Sequence, residues 1–162
     1  MLSVIIDYNS GNLHSVAKSL ERVSKDFRNE KLSISSNPNI VSIADRIIFP
    51  GVGAFPDCKR ALVEKKGLVE IMQEKVLLRK TPFLGICVGH QMLATKSLEF
   101  EQDTEGFDWI NGTVRKINAS SKNLKIPHMG WNSIKKDINE HPLLKNINNG
   151  DHFYFTHSYT ME

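Results

Sequence analysis

A cysteine framed by glycines, in Gly85-Ile86-Cys87-Val88-Gly89-His90-Gln91, is the stretch of this sequence best suited to chemistry. It follows the apolar run Pro82-Phe83-Leu84 and precedes Met92-Leu93-Ala94. A short apolar run reads as a buried strand, and the segment behind it as the first turn of a helix. Gly-x-Cys-x-Gly at such a junction is the cysteine form of the nucleophile elbow. The glycines permit a turn that side chains would block, and the turn lifts Cys87 above the end of the sheet. Unpaired N–H groups at a helix start attract negative charge, which suits a thiolate nucleophile. The Val88 N–H, just after the nucleophile, would sit where an oxyanion develops. The same pattern also fits a small buried cysteine in a glycine-rich turn, so other segments must decide.

The elements that would carry this elbow alternate strand and helix. Val4-Ile5-Ile6 is a short strand ending at Asp7, and Leu13, Val16, Ala17, Leu20 and Val23 then fall on one helical face. Leu32 to Ile34 reads as a second strand and Arg46 to Phe49 as a third, stopped by Pro50-Gly51. Pro56 suits a helix first turn, with helix to about Leu78 broken near Gly67. Phe83 to Ile86 is the strand before the elbow, and Gln91 to Leu98 is expected as its helix. The alternation predicts an α/β fold with a parallel sheet covered by helices. Ligands then bind beyond the carboxyl ends of the strands, where the loops Pro50–Gly53 and Gly85–Gly89 both fall. Thr113 to Ile117, Ile126 to Ile134 and His152 to Thr156 read as further strands, an antiparallel extension carried on the same domain, 1–162.

Bulk properties exclude several classes. With 162 residues the chain can bury one real core. Its net charge of +3 is too small and dispersed to argue for nucleic acid. No apolar run has transmembrane length, and Met1 to Asp7 lacks a signal-peptide pattern. The two cysteines, Cys58 and Cys87, make no disulfide framework, so a reducing cytoplasm is expected.

Several segments together resemble one family. They are Asp7-Tyr8-Asn9-Ser10-Gly11-Asn12-Leu13-His14-Ser15-Val16, Pro50-Gly51-Val52-Gly53-Ala54-Phe55, Pro82 to Gln91, Gly106 to Gly112, Pro127-His128-Met129-Gly130-Trp131-Asn132, His141-Pro142-Leu143-Leu144 and Phe153 to Tyr159. In this order they are similar to the glutaminase subunits of imidazole glycerol phosphate synthase, which are class I (triad-type) glutamine amidotransferases with a flavodoxin-like sheet and helices on both faces. The resemblance implies that Cys87 attacks the side-chain amide of L-glutamine, that ammonia leaves, and that water hydrolyses the thioester to glutamate. It implies an oxyanion hole from Val52 and Val88, and glutamine contacts at Gly51, Gly53, Gln91, His157, Ser158 and Tyr159. It also implies a heterodimer with a (β/α)₈-barrel cyclase docked on Asn12, Met129, Trp131 and Tyr154. No cofactor or metal is expected.

One departure stands out. The family completes its triad with a His-x-Glu pair, and none of His14, His90, His128, His141, His152 and His157 has Glu two residues on. The simplest expectation is an N-terminal fragment of a longer gene product. His157 is read as pocket lining rather than as the base, His128 equally as a packed loop residue or an interface residue, and Cys58 as structural. Two alternatives remain: a paralogous subunit serving amidino-sugar synthesis in surface polysaccharides, and a non-catalytic subunit keeping only the partner surface.

Overall fold

The strand β1 (Leu2–Ile6) is the centre from which the sheet grows, because both of its faces are apolar. Val4, Ile5 and Ile6 are all fully buried, as a strand covered on both sides requires. The computed structural model describes residues 1–25, 30–119, 124–137 and 141–162. β1 pairs in parallel with β2 (Lys31–Ser35) and β3 (Arg46–Gly51), and β3 pairs in parallel with β4 (Phe83–Cys87), giving the order β2-β1-β3-β4.

Helix α1 (Leu13–Ser24) starts at Asn12, whose Oδ1 accepts the Ser15 N–H at 3.2 Å. It lays Leu13, Val16, Ala17 and Leu20 against Ile5, Leu32, Ile48 and Ile86. Val23, expected on that face, is exposed. Ala17 is buried and Leu13, Val16 and Leu20 are half-buried, so each contributes less than the roughly 1.5–3 kcal/mol of a fully buried large aliphatic side chain, and it is the stripe as a whole that holds α1 to the sheet. Helices α3 (Phe55–Val63) and α4 (Leu68–Gln73), with a π-helical turn over Glu74–Leu78, fill the span predicted as helix broken near Gly67. A short helix, α2 (Pro38–Ser42), was not anticipated, although Asn37 caps it and Pro38 opens it.

The expected helix Gln91–Leu98 is corrected. Helix α5 spans only Val88–Gln91, and Ala94–Ser97 forms strand β5. Two contacts explain the change. Leu93 N–H closes a turn on the His90 carbonyl at 3.1 Å, and β5 then finds partners on both sides, β6 (Thr104–Glu105) antiparallel and β7 (Ile110–Lys116) parallel. The extension is therefore mixed rather than antiparallel throughout. Beyond it, β8 (His128–Ser133) and β9 (His152–His157) form an antiparallel pair from His128↔His157 to Ser133↔His152, and β10 (Tyr159–Met161) follows. The chain divides into two compact units, Met1–Arg115 with Met161–Glu162, and Lys116–Thr160.

Candidate active site

Cys87 ends β4, and its backbone is bent to φ +55°, ψ −119°. For a residue with a Cβ this is a strained conformation of the kind kept at functional turns. The flanking glycines are required by close approach. A Cβ on Gly89 would lie 1.9 Å from the Phe49 carbonyl oxygen, and one on Gly85 would lie 2.7 Å from the His90 Cα. The elbow thus packs backbone on backbone against β3. Its thiol is exposed to solvent and makes no disulfide. Val88, the first residue of α5, is buried and has an N–H without an intrahelical acceptor. Gln91 ends the same single turn, half-buried.

The parallel register sets Gly51 directly beside Cys87. The loop that follows, Gly51-Val52-Gly53, therefore borders the thiol, as both loops at the carboxyl edge of one sheet should. This loop is held from beneath by the residues after β1. Tyr8, fully buried and stacked on Phe49 with centroids 4.9 Å apart, donates its hydroxyl to the Pro50 carbonyl at 2.8 Å. Burial holds the phenol far above its ordinary pKa, so it remains a donor. Ser10 Oγ donates to the Val52 carbonyl at 2.8 Å and accepts the Val52 N–H at 3.2 Å. The Val52 N–H expected at an oxyanion is thus engaged by Ser10 in this structure. Cys58 Sγ lies 3.1 Å from Ser10 Oγ. Burial pushes the Cys58 thiol up, as suits a structural cysteine.

Tyr8 and Ser10 were within the quoted segments but had no assigned role. The available signal was position: they follow β1 at the edge where β3 and β4 also end. Glu99 was missed entirely. It is buried, and its Oε2 accepts the Phe55 N–H at 2.6 Å at the start of α3.

The other predicted residues lie in the second unit, Asn12 excepted. In the pair β8–β9, Met129, Trp131 and Tyr154 share one exposed face, with Trp131 opposite Tyr154 and the rings edge to face at 5.6 Å. His128, Phe155 and His157 share the other face. Both ring nitrogens of His157 are engaged, Nδ1 with the Tyr159 carbonyl at 3.0 Å and Nε2 with His128 Nδ1 at 3.2 Å. The Ser158 carbonyl accepts the Ile117 N–H at 2.9 Å. Among the described residues no cluster of His, Cys, Asp and Glu could hold a metal ion, and no helix is long and apolar enough to cross a membrane.

An exposed cysteine on a strained strand-to-helix turn, beside a glycine loop, is an arrangement for thiol attack on an acyl carbon. The profile of the family described as glutamine amidotransferase class-I matches residues 4–162. The chain belongs to the class-I glutamine amidotransferases. This amidotransferase is 50% identical, over 98% of its length and 74% of the relative's, to the imidazole glycerol phosphate synthase subunit HisH of Cereibacter sphaeroides. It is 46% identical to the HisH subunit of Rhodospirillum rubrum and 45% identical to that of Ruegeria pomeroyi, each over 98% of this chain and 74% of the relative.

Proposed function

We propose that this chain is the glutaminase subunit of an imidazole glycerol phosphate synthase, supplying ammonia to a cyclase in histidine biosynthesis. The observation that carries the reading is the pairing of Gly51 with the strained Cys87 at the carboxyl edge of the sheet. Cys87 Sγ attacks the side-chain carbonyl carbon of glutamine, and the C=O π electrons move onto oxygen. The Val88 N–H receives that oxyanion, and the Val52 N–H, which Ser10 Oγ holds in this structure, joins it only once that bond is released. As the C–N bond breaks the nitrogen takes a proton and leaves as ammonia, and water hydrolyses the resulting thioester to glutamate. Moving those protons needs a positioned imidazole, worth roughly 10²–10⁴-fold in rate, which is the role of the family's His-x-Glu pair. Gly51, Gly53, Gln91, His157, Ser158 and Tyr159 hold the amino acid.

Contacts to a (β/α)₈-barrel cyclase in a heterodimer are assigned to the exposed Met129, Trp131 and Tyr154 of the β8–β9 pair and, separately, to Asn12 at the start of α1. The cyclase uses the ammonia, splitting its substrate to imidazole glycerol phosphate and AICAR. A sealed passage between the two proteins protects ammonia from protonation and loss. The free thiols Cys58 and Cys87 fit a reducing cytoplasm. The strained elbow with its exposed thiol supports the enzyme over a purely partner-binding subunit, and the names of the relatives support this pathway over polysaccharide synthesis.

The test is covalent labelling. An electrophilic glutamine analogue, such as the chloroketone, is expected to modify Cys87 and spare the buried Cys58, with free glutamine protecting. Equal labelling of both thiols, or labelling that glutamine does not slow, would remove the glutaminase reading.

A further inference from the structure

Local sequence alone would place Leu98-Glu99-Phe100-Glu101 with its apolar ring inward and its carboxylates in water. The structure does the reverse. Glu99 is 7% exposed and Phe100 is 69% exposed. The inversion needs an unusual backbone: Phe100 (φ +56°) and Glu101 (φ +59°) are successive non-glycine residues in the left-handed region. The Cβ disfavours this conformation, and such residues persist where the surroundings over-determine them. Here the surroundings hold the turn at several points. The Leu98 N–H is bonded to the Val114 carbonyl at 2.9 Å, the Glu99 N–H to the Oγ of fully buried Ser97 at 3.1 Å, and the Gln102 N–H to the Glu99 carbonyl at 3.1 Å.

The buried carboxylate has one evident task. Helix α3 begins at Ala54, which has no side chain able to cap it. The Phe55 N–H instead reaches Glu99 Oε2 at 2.6 Å, from a residue 44 positions along the chain. The two segments so joined are the ones that build the site. Gly51-Val52-Gly53-Ala54 leads into Phe55, and Cys87 leads through α5 and β5 into Glu99.

We propose that Glu99 is a positioning residue for the thiol chemistry, a cap supplied across the fold that fixes the Gly51–Ala54 loop relative to the Cys87 elbow. The idea rests on the glutaminase reading of that site. A strained turn that spends an exposed Phe to bury a carboxylate is a costly way merely to start a helix, since Ser, Thr, Asp or Asn at position 54 would cap locally. A cap from across the fold ties α3 to the turn after β5, which continues from the elbow through α5, and a local cap cannot do this. Burial raises the carboxyl's pKa and the Phe55 N–H pulls it back down, as a buried acceptor held by a backbone donor should behave.

The experiment uses the 162-residue chain with Glu99→Ala, Glu99→Asp and Glu99→Gln. Three readouts are taken: the labelling rate of Cys87 by the glutamine chloroketone, its labelling rate by iodoacetamide, and hydrogen exchange at the Phe55 amide. Glu99→Ala and Glu99→Asp, which remove or shorten the acceptor, are expected to slow the chloroketone about tenfold or more. Iodoacetamide, which needs no oriented pocket, is expected to react as before. Glu99→Gln keeps a carbonyl oxygen in place and is expected to restore both the chloroketone rate and the protection of the Phe55 amide. Labelling of Cys58 reports unfolding; if Glu99→Ala exposes it, Glu99→Asp decides. Wild-type chloroketone rates in Glu99→Asp, parallel loss of both labelling rates, or no rescue by Glu99→Gln would overturn the proposal. A wild-type chain that the chloroketone does not label sinks the glutaminase reading, while the exchange at Phe55 still reports separately on the clamp.

Discussion

The thiol of Cys87 is presented by a backbone that its own side chain disfavours. At φ +55°, ψ −119° any Cβ is crowded, and the cost is about 1–3 kcal/mol. Replacing Cys87 by Gly relieves this, whereas Ala keeps it. Cys87→Gly is therefore expected to be about 1 kcal/mol more stable than Cys87→Ala, after allowing for the entropy glycine loses on folding, although neither reacts. Urea denaturation of the two variants measures it; equal midpoints would mean that the elbow is unstrained. Cys87 was legible in the sequence because its glycines answer contacts that only the backbone makes. Ser10 was not, because a serine after a strand is an ordinary residue until its hydroxyl is seen spanning both polar groups of Val52.

Among the elements, α3 shows how a distant carboxyl carries into stability. Burial raises the Glu99 pKa, with nearby Asp57 adding and the Phe55 N–H opposing. The folded state therefore holds that proton more tightly than the unfolded chain does. Its stabilising share is complete below the ordinary carboxyl range, about pH 4, and is lost as pH rises through the raised value. Glu99→Gln has no such proton. The stability of the Gln variant relative to wild type is expected to grow from about pH 4 toward neutrality, and urea titrations at several pH values check it. A difference that shrinks with pH would reverse the assignment. The parallel strands and α1 were legible from apolar runs and from one helical stripe. The segment after the elbow was not, because Met92-Leu93-Ala94-Thr95 suits helix or strand alike. The pairing of β5 with β6 and β7, residues later in the chain, settles it.

At the level of the molecule, the exposed hairpin face proposed to dock the cyclase offers a way to separate association from folding. Trp131 is 71% exposed and touches Tyr154 edge to face. Trp131→Ala thus removes little from the chain's own packing, below about 1 kcal/mol. At an interface the same ring acts as an anchor worth about 2 kcal/mol or more, roughly thirtyfold in Kd. Calorimetry with a cognate barrel cyclase is expected to show that loss, with the thermal midpoint of the isolated chain nearly unchanged. Unchanged affinity would move the docking surface elsewhere. The family and its chemistry were readable because short segments recur in a fixed order along the chain. The ties that aim the site were hidden because each joins residues about 40 positions apart, such as Ser10 with Val52 and Phe55 with Glu99.

The side-by-side placement of Gly51 and Cys87 has a consequence for how this gene can change. Parallel strands advance about 3.3 Å per residue and turn successive side chains to opposite faces. One codon gained or lost within Arg46–Gly51 or Phe83–Cys87 would therefore move the thiol a full residue along its neighbour and onto the wrong face, while much of the apolar core could still form. The turn between α3 and α4, around Lys65-Lys66-Gly67, is no part of that ruler. Length variation among functional descendants of this chain is expected to accumulate at that turn and to be absent between Arg46 and Gly51 and between Phe83 and Cys87, and a library of single-codon insertions scored for Cys87 labelling would map the boundary.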